Sequence, residues 1–377
     1  MKNTQRVTFS IAFFPIFSDF YPKAIAQSRK EALFLMAIEV SVIGAGPAGS
    51  TAAYELARYG IGVELIDREH FPREKPCAGG LFNPELFAEE FPYVNEVDGK
   101  LVYNARMCCS NRRFEITSSK PLVKTVIRKD FDLFLMKKAV GAGAVFAVGK
   151  KPEGKYIINA TGAHSPRTYA QAGICLVNDF QTDKRLDTVH VHYCYRRIVG
   201  YCWVFPKTGY VNVGVGAYLP QRDIREIYAS YIENLIREKI LSEKEAEAKQ
   251  YKAKVIPFAP LHHFFIDRTL FAGDAAGFVR PGTGEGIYFA MLSGKFAAQS
   301  IALKRGFHWY EKMCRKQFGD YLVSTRFWKK RFFTNIIMKK AVRIGEKSPD
   351  FARMMVEDFF RLHTRPLAGE FIKRIFA

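Results

Sequence analysis

An apolar run from Ile38 to Ile43 predicts a buried strand, and the helix-period pattern from Ala48 to Tyr59 predicts a helix that Gly60 stops. Gly62 to Ile66 reads as a second strand, so the first ordered unit is βαβ-like. Phe71 to Leu81 is rich in Pro and Gly and reads as a loop. Phe114-Glu115-Ile116 and Val123 to Ile127 read as short strands, and Phe131 to Val140 as a helix. Gly141 to Ala144 leads into another strand, and Tyr156 to Ala160 is an apolar strand ending in Thr161-Gly162. Between 185 and 218 the pattern alternates in the β manner, over Val189 to Tyr193, Tyr201 to Phe205 and Tyr210 to Val215. Ile224 to Lys249 is predicted helical. Leu270 to Asp274 reads as a strand entering a Gly-rich loop, then Gly286 to Ala302 as a helix, and the remainder is helical. The parallel-type pieces are therefore separated in sequence and interleaved with a mostly antiparallel sheet.

The turn between the first strand and helix is Gly44-Ala45-Gly46-Pro47-Ala48-Gly49, a G-x-G-x-x-G. Gly44 permits the tight turn, Gly46 a close approach to a pyrophosphate, and Gly49 close packing of helix on strand. The open amides at the helix start attract phosphate charge. Asp67 stands 18 residues beyond Gly49, where a carboxylate meets a ribose hydroxyl. The unit predicts dinucleotide binding, with a plain βαβ unit as the bland alternative. It occurs once, so a second, permanently bound dinucleotide is not expected.

Composition changes the picture in three places. With 377 residues, 48% of them hydrophobic, the chain can bury a core of one or two domains. The seven cysteines have no C-x-x-C spacing and predict neither a disulfide framework nor a zinc site, which favours a reducing, cytoplasmic setting. His190, His192, His262 and His263 lack partners at ligand spacing, so no metal is expected. No apolar run approaches the ~18 residues of a membrane span.

The net charge of +20 is concentrated late: from Lys304 onward there are 18 Lys and Arg against 7 Asp and Glu. Aromatics such as Trp309, Phe318, Phe327 and Trp328 are interleaved with them, a pattern that fits peripheral attachment to an anionic membrane on its inner face. A solvated helical cap with core aromatics is the competing reading. No nucleic-acid motif accompanies the charge. Residues 1–35 loosely imitate a secretory leader, with Lys2, Arg6 and an apolar stretch broken by Pro15. Met36, two residues before the first strand, favours a mis-assigned start or a disordered extension instead.

The second informative string runs from Phe271 to Ile287 (FAGDAAGFVRPGTGEGI). Asp274 at a strand end can accept hydrogen bonds from a polyol, and the glycines open a helix N-terminus that stabilises negative charge. Together with the Gly44 turn, Lys75-Pro76-Cys77-Ala78-Gly79-Gly80-Leu81, Arg128 before Phe131-Asp132, Ala160-Thr161-Gly162 and Tyr201-Cys202-Trp203-Val204-Phe205-Pro206, it resembles the geranylgeranyl reductase family. That family belongs to the hydroxybenzoate-hydroxylase-like FAD proteins. The resemblance covers roughly residues 38 to 300, and the Lys-Pro-Cys loop and Tyr-x-Trp-x-Phe-Pro strand are its specific parts. Three positions depart from the pattern. Ile198 stands for a Pro, Thr161-Gly162 for an Asp-Gly pair, and the stretch between Gly143 and Ile157 is short.

The resemblance implies an α/β fold, with a Rossmann-like FAD-binding domain interleaved with a mostly antiparallel β substrate domain and a helical C-terminus. On this reading 36–80, 126–177 and 255–300 form the cofactor domain, 81–125 and 178–254 the substrate domain, and 301–377 a basic helical region. It also implies that Gly44, Gly46, Ala48, Gly49, Asp67 and Arg128 hold the adenosine and pyrophosphate half. Cys77, Ala78, Gly80, Thr161 and Gly162 approach the cofactor, and Asp274, Gly284, Gly286 and Ile287 hold the ribityl chain and ring edge. Tyr201, Trp203 and Phe205 share one strand face suited to a polyprenyl chain. Cys77 and Tyr201 are the candidates for orienting substrate or relaying a proton. The implied reaction is saturation of isolated prenyl C=C bonds on a lipid or diphosphate, with NAD(P)H or reduced ferredoxin as transient electron donor. The alternatives are a flavin monooxygenase or halogenase acting on an aromatic compound, and a flavin-bearing binding protein.

Overall fold

The computed structural model describes residues 37–163, 169–247, 250–319 and 335–360. The leader-like residues 1–35, and Phe327 and Trp328 of the basic tail, lie outside them. The first sheet has six strands in the order Phe265–Ile266, Thr269–Phe271, Tyr156–Asn159, Val40–Ile43, Val63–Asp67, Val145–Val148. All neighbours are parallel except the first hairpin. Its central strand is buried along Val40, Ser41 and Val42, and the one polar side chain, Ser41, donates to the buried Glu64 carboxylate. The helix Pro47–Arg58 crosses the largely buried helix Ile287–Ala302 at close range: a Cβ on Gly294 would lie 2.2 Å from the Ala48 carbonyl oxygen.

The second sheet has seven strands, Lys252–Pro257, Ala172–Gln181, Tyr210–Tyr218, Gly200–Lys207, Thr188–Tyr193, Asn104–Cys109 and Arg112–Thr117, in that order. Every pair is antiparallel except Thr188–Tyr193 with Asn104–Cys109. Along Gly200–Lys207 the expected alternation holds. Cys202 and Val204 join a core with Val213, Val215 and the Ile227 and Tyr231 face of the helix Ile224–Arg237. Tyr201, Trp203 and Phe205 face the other way. A small sheet of Gly80–Phe82, Val123–Thr125 and Lys100–Val102 adjoins that face.

Four details differ from the sequence expectations. The helix predicted over 224–249 ends at Arg237, because the chain reverses at Lys239 (φ 58°) and restarts behind the Ser242–Glu245 capping box. Gly80-Leu81, read as loop, begins a strand. Ala172–Gln181, whose first six residues were grouped with the cofactor domain, lies inside the seven-stranded sheet. Finally, the cysteine spacing predicts no disulfide, yet Cys109 and Cys194 are bonded, with Cα atoms 5.3 Å apart across 85 residues. The parallel pairing that sets Cys109 beside Tyr193 creates this neighbourhood, and it removes the cysteine argument for a reducing compartment.

Candidate functional site

A cleft of about 770 Å³ runs from the first sheet to the aromatic face of the second. It is within the size range of small-molecule and cofactor sites. At one end lie Gly44, Gly46, Ala48, Asp67 and Arg128. Gly44 has φ 100°, and a Cβ there would stand 2.4 Å from the Ala160 carbonyl oxygen, so only glycine makes this turn. Gly49 does not line the cleft; a Cβ on it would meet the Gly44 oxygen at 1.8 Å, and it seats the helix on the turn. The helix beginning at Pro47 has no side-chain cap, which leaves its first amides open toward the cleft.

Asp67, at the end of its strand, accepts hydrogen bonds from the amides of Ala45 (2.8 Å) and Glu69 (3.1 Å). Arg73 ties this end together: it lies 3.5 Å from Asp67 and 3.5 Å from Asp132. Asp132 in turn is gripped by Arg128 Nε and Nη2 at 2.9–3.1 Å. Burial works against the Arg128 charge, but Asp132 overrides it and holds the guanidinium firmly protonated.

Midway along, Asp274 Oδ2 meets Lys254 Nζ at 2.7 Å. Burial raises the Asp274 carboxyl, but Lys254 outweighs it and keeps the group below its ordinary value. Lys75 faces the same pair and is pushed down to about 8, first by the Lys254 charge and then by burial. Gly162 follows the strand end, where Thr161 Oγ1 donates to Asn159 at 2.8 Å, and a Cβ on Gly162 would be 3.5 Å from Lys75 Nζ. A Cβ on Gly286 would sit 3.2 Å from Asp274 Oδ1, and at the start of the helix Ile287–Ala302 the amide of Tyr288 is taken by a carboxyl oxygen of Glu285 at 2.9 Å.

At the far end the Lys75–Leu81 loop rests on the aromatic strand. A Cβ on Gly80 would be 2.9 Å from the Phe205 ring, and the carbonyl of Cys77 accepts a hydrogen bond from Asn212 Nδ2 at 3.2 Å. Asn212 also accepts from Trp203 Nε1 (2.8 Å) and donates to Asp179 (2.8 Å). The half-buried Cys77 and its neighbour Ala78 both line the cleft. Trp203 lies flat over a glycine stripe, for a Cβ on Gly214 would come within 2.2 Å of its ring. The Tyr201 and Trp203 rings are 5.7 Å apart, and the Tyr201 hydroxyl donates to the Thr283 carbonyl beside Gly284. Phe359 packs on Tyr201 (5.6 Å) and Phe360 on Phe82 (4.9 Å), while Arg280 donates to the carbonyls of Asp358 (2.7 Å) and Phe359 (3.0 Å).

The structure thus gathers every sequence-predicted site residue except Gly49 around one cleft. It adds Arg73 from a loop and Lys254 from an edge strand to the lining, and behind it the buried Asn212 from a sheet interior. Asn212 alone carried a sequence signal, a polar side chain in an apolar alternation. The open helix start at Pro47, the glycines Gly44 and Gly80 with no room for a Cβ, and the cations Arg73, Lys75, Arg128 and Lys254 along the cleft fit an elongated dianionic dinucleotide such as FAD.

Comparison with known proteins agrees. Residues 38–198 match the pyridine nucleotide-disulphide oxidoreductase family. An uncharacterized protein of Methanosarcina barkeri is 35% identical over 295 residues, 70% of this chain and 74% of that protein. The geranylgeranyl diphosphate reductase of Rhodobacter capsulatus is 29% identical (70% and 75%), and the digeranylgeranylglycerophospholipid reductase of Methanocaldococcus jannaschii 28% (76% and 84%). Among solved structures, a geranylgeranyl bacteriochlorophyll reductase-like protein of Thermoplasma acidophilum has a TM-score of 0.71 at 22% identity, covering 89% of this chain and 95% of that one. The flavin-dependent brominase Bmp2 has a TM-score of 0.64 at 18% identity (90% and 98%). These two structural likenesses concern the fold.

Proposed function

The chain belongs to the geranylgeranyl reductase family of FAD-dependent oxidoreductases, and from that premise we propose that it saturates isolated C=C bonds of a geranylgeranyl group carried on a lipid or a diphosphate. The observation that carries this reading is the continuity of one cleft. The open helix start at Pro47, the Gly284–Ile287 turn beside Asp274 and the aromatic face of Tyr201, Trp203 and Phe205 all line it.

Ala48, Asp67 and Arg128 would hold the adenosine and pyrophosphate half of FAD, with Gly44 and Gly46 allowing the close approach. Asp274, Gly284, Gly286 and Ile287 would hold the ribityl chain and ring edge, with Cys77, Ala78, Gly80, Thr161 and Gly162 around them. When reduced, FAD supplies a hydride. An unactivated alkene accepts hydride poorly, so the protein must couple that transfer to protonation of the second carbon and keep water out. Tyr201, Trp203 and Phe205 line the alkene path with apolar surface and fix its orientation. Cys77 sits where the loop meets the strand and positions the substrate there. The hydroxyl of Tyr201 is engaged by Thr283, and burial pushes its pKa well above the ordinary tyrosine value.

The electron donor is NAD(P)H or a reduced ferredoxin in transient contact, and the basic surface favours an acidic carrier. Basic helices such as Asn335–Lys347 would rest on anionic lipid. The purified protein, reduced anaerobically and mixed with geranylgeranyl lipids or geranylgeranyl diphosphate, should reoxidise its flavin and add pairs of hydrogens to the product mass. If prenyl compounds leave the flavin reduced while an aromatic compound drives oxygen consumption, the monooxygenase or halogenase reading replaces this one.

A further inference from the structure

Adding two hydrogens across a C=C bond requires a proton as well as a hydride, and the cleft contains a carboxyl group that no role above uses. Glu285 lies between Gly284 and Gly286, is 5% exposed, and lines the cleft with Tyr201. One carboxyl oxygen accepts the amide of Tyr288 at 2.9 Å, which fixes the side chain at the start of the helix Ile287–Ala302. Its nearest cation in sequence, Arg280, donates to the carbonyls of Asp358 and Phe359 and acts on Glu285 only through its charge. Among the described residues no cation pairs with Glu285 at ion-pair distance.

Resting on the reductase reading, we infer that Glu285 is the general acid that protonates the alkene carbon opposite the one receiving hydride. The Glu285 O–H bond breaks, and its proton forms a C–H bond with the π-electron pair. The hydride from reduced flavin brings the two electrons of the other C–H bond. The carboxylate then recovers a proton from water. The two alternatives already in the cleft are less suited, since the Tyr201 proton is bound to Thr283 and the Cys77 sulfur accepts the Gly79 amide at 3.4 Å.

The charges facing the group are Arg280 in its own loop and Arg128 from the helix Arg128–Ala142, with the neutral Tyr201 across the cleft. Burial outweighs both cations and the two helix amides and raises the carboxyl to about 7, so at neutral pH a large fraction carries its proton.

The test compares wild type with E285Q, whose amide oxygen still accepts the Tyr288 N–H and so preserves any purely capping role. Expected are unchanged FAD binding and melting, and a single-turnover flavin reoxidation slowed about 10²- to 10⁴-fold, the usual worth of a general acid. The wild-type rate should fall as pH rises through about 7. Independently of turnover, isotope-edited infrared spectra of the unloaded protein should contain a carboxyl band that titrates near neutrality and is missing in E285Q. Equal rates and pH profiles in the two proteins, or a Glu285 already ionised at pH 5, overturn the assignment and leave the reductase reading intact. A wild type that no prenyl substrate reoxidises overturns the reductase reading, and this role with it.

Discussion

The side chain of Asn212 is the joint between the loop that carries Cys77 and the strand that carries the aromatic face, and replacing it with Leu tests that joint. Asn212 is 1% exposed and makes three side-chain hydrogen bonds, to Trp203, Cys77 and Asp179. Leu has nearly the same volume, so packing is kept while all three bonds are lost. Asp179 retains its 2.8 Å ion pair with Lys207 and loses little. The buried Trp203 N–H and the part-buried Cys77 carbonyl are left unpaired at about 1–3 kcal/mol each, which gives a total of about 2–6 kcal/mol. Urea unfolding of the FAD-bound protein measures it. Trp203→Phe removes the indole donor together with part of the ring, and because that ring loss is common to both arms, a cycle of the two single variants and the double variant isolates the Trp203–Asn212 bond. We expect a coupling of about 1 kcal/mol, and a weaker FAD affinity in Asn212→Leu because the Cys77 loop loses its anchor. Additivity within about 0.3 kcal/mol would show that the bond does not form in solution. Strong coupling with unchanged FAD affinity would show instead that the loop is held elsewhere.

Two further outcomes follow from the cleft geometry. Gly49→Ala puts a Cβ where the Gly44 oxygen already lies, so the turn and helix must separate; stability should fall by about 1–3 kcal/mol or more, and FAD should be lost on gel filtration. Gly60→Ala is its control, because that glycine has φ 72° but nothing within 4 Å, and FAD retention should survive. Lys75, depressed to about 8, should regain its proton when the dinucleotide's pyrophosphate enters, so FAD binding between about pH 8 and 10 should take up a proton. Calorimetry in buffers of different ionisation heat measures that uptake, and Lys75→Gln should abolish it. In the unloaded protein the sign is opposite to that of an ordinary salt bridge. The buried charge of Lys75 penalises the fold fully below about pH 8, and the penalty is relieved as pH rises from about 8 to 10.5.

What could be read from the chain was whatever depends on neighbouring residues. The Gly44-to-Gly49 turn is a backbone requirement written locally, and the alternation of Tyr201, Trp203 and Phe205 follows from strand geometry alone. The break after Arg237 had a local signal too, since Ser242 and Glu245 stand at capping-box spacing, but the apolar period across it masked the signal. Ala172–Gln181 acquires its place by pairing with strands 29 and more residues away, which no local pattern specifies. Arg73, Lys254 and the Cys109–Cys194 bond are likewise products of the tertiary path. No spacing rule joins Lys254 to Asp274, because the two strands that present them belong to different sheets.

The contacts of Phe359 and Phe360 have a consequence for how the molecule is made. The dinucleotide turn emerges from the ribosome first and the aromatic strand in mid-synthesis, but the rings that rest on Tyr201 and Phe82 come from near residue 360. Until that helix arrives and Arg280 fastens its end, a nascent chain with both sheets complete presents an uncovered aromatic face to the cell. The interval between translating Phe271 and Phe359 is therefore when this face is open to chaperones.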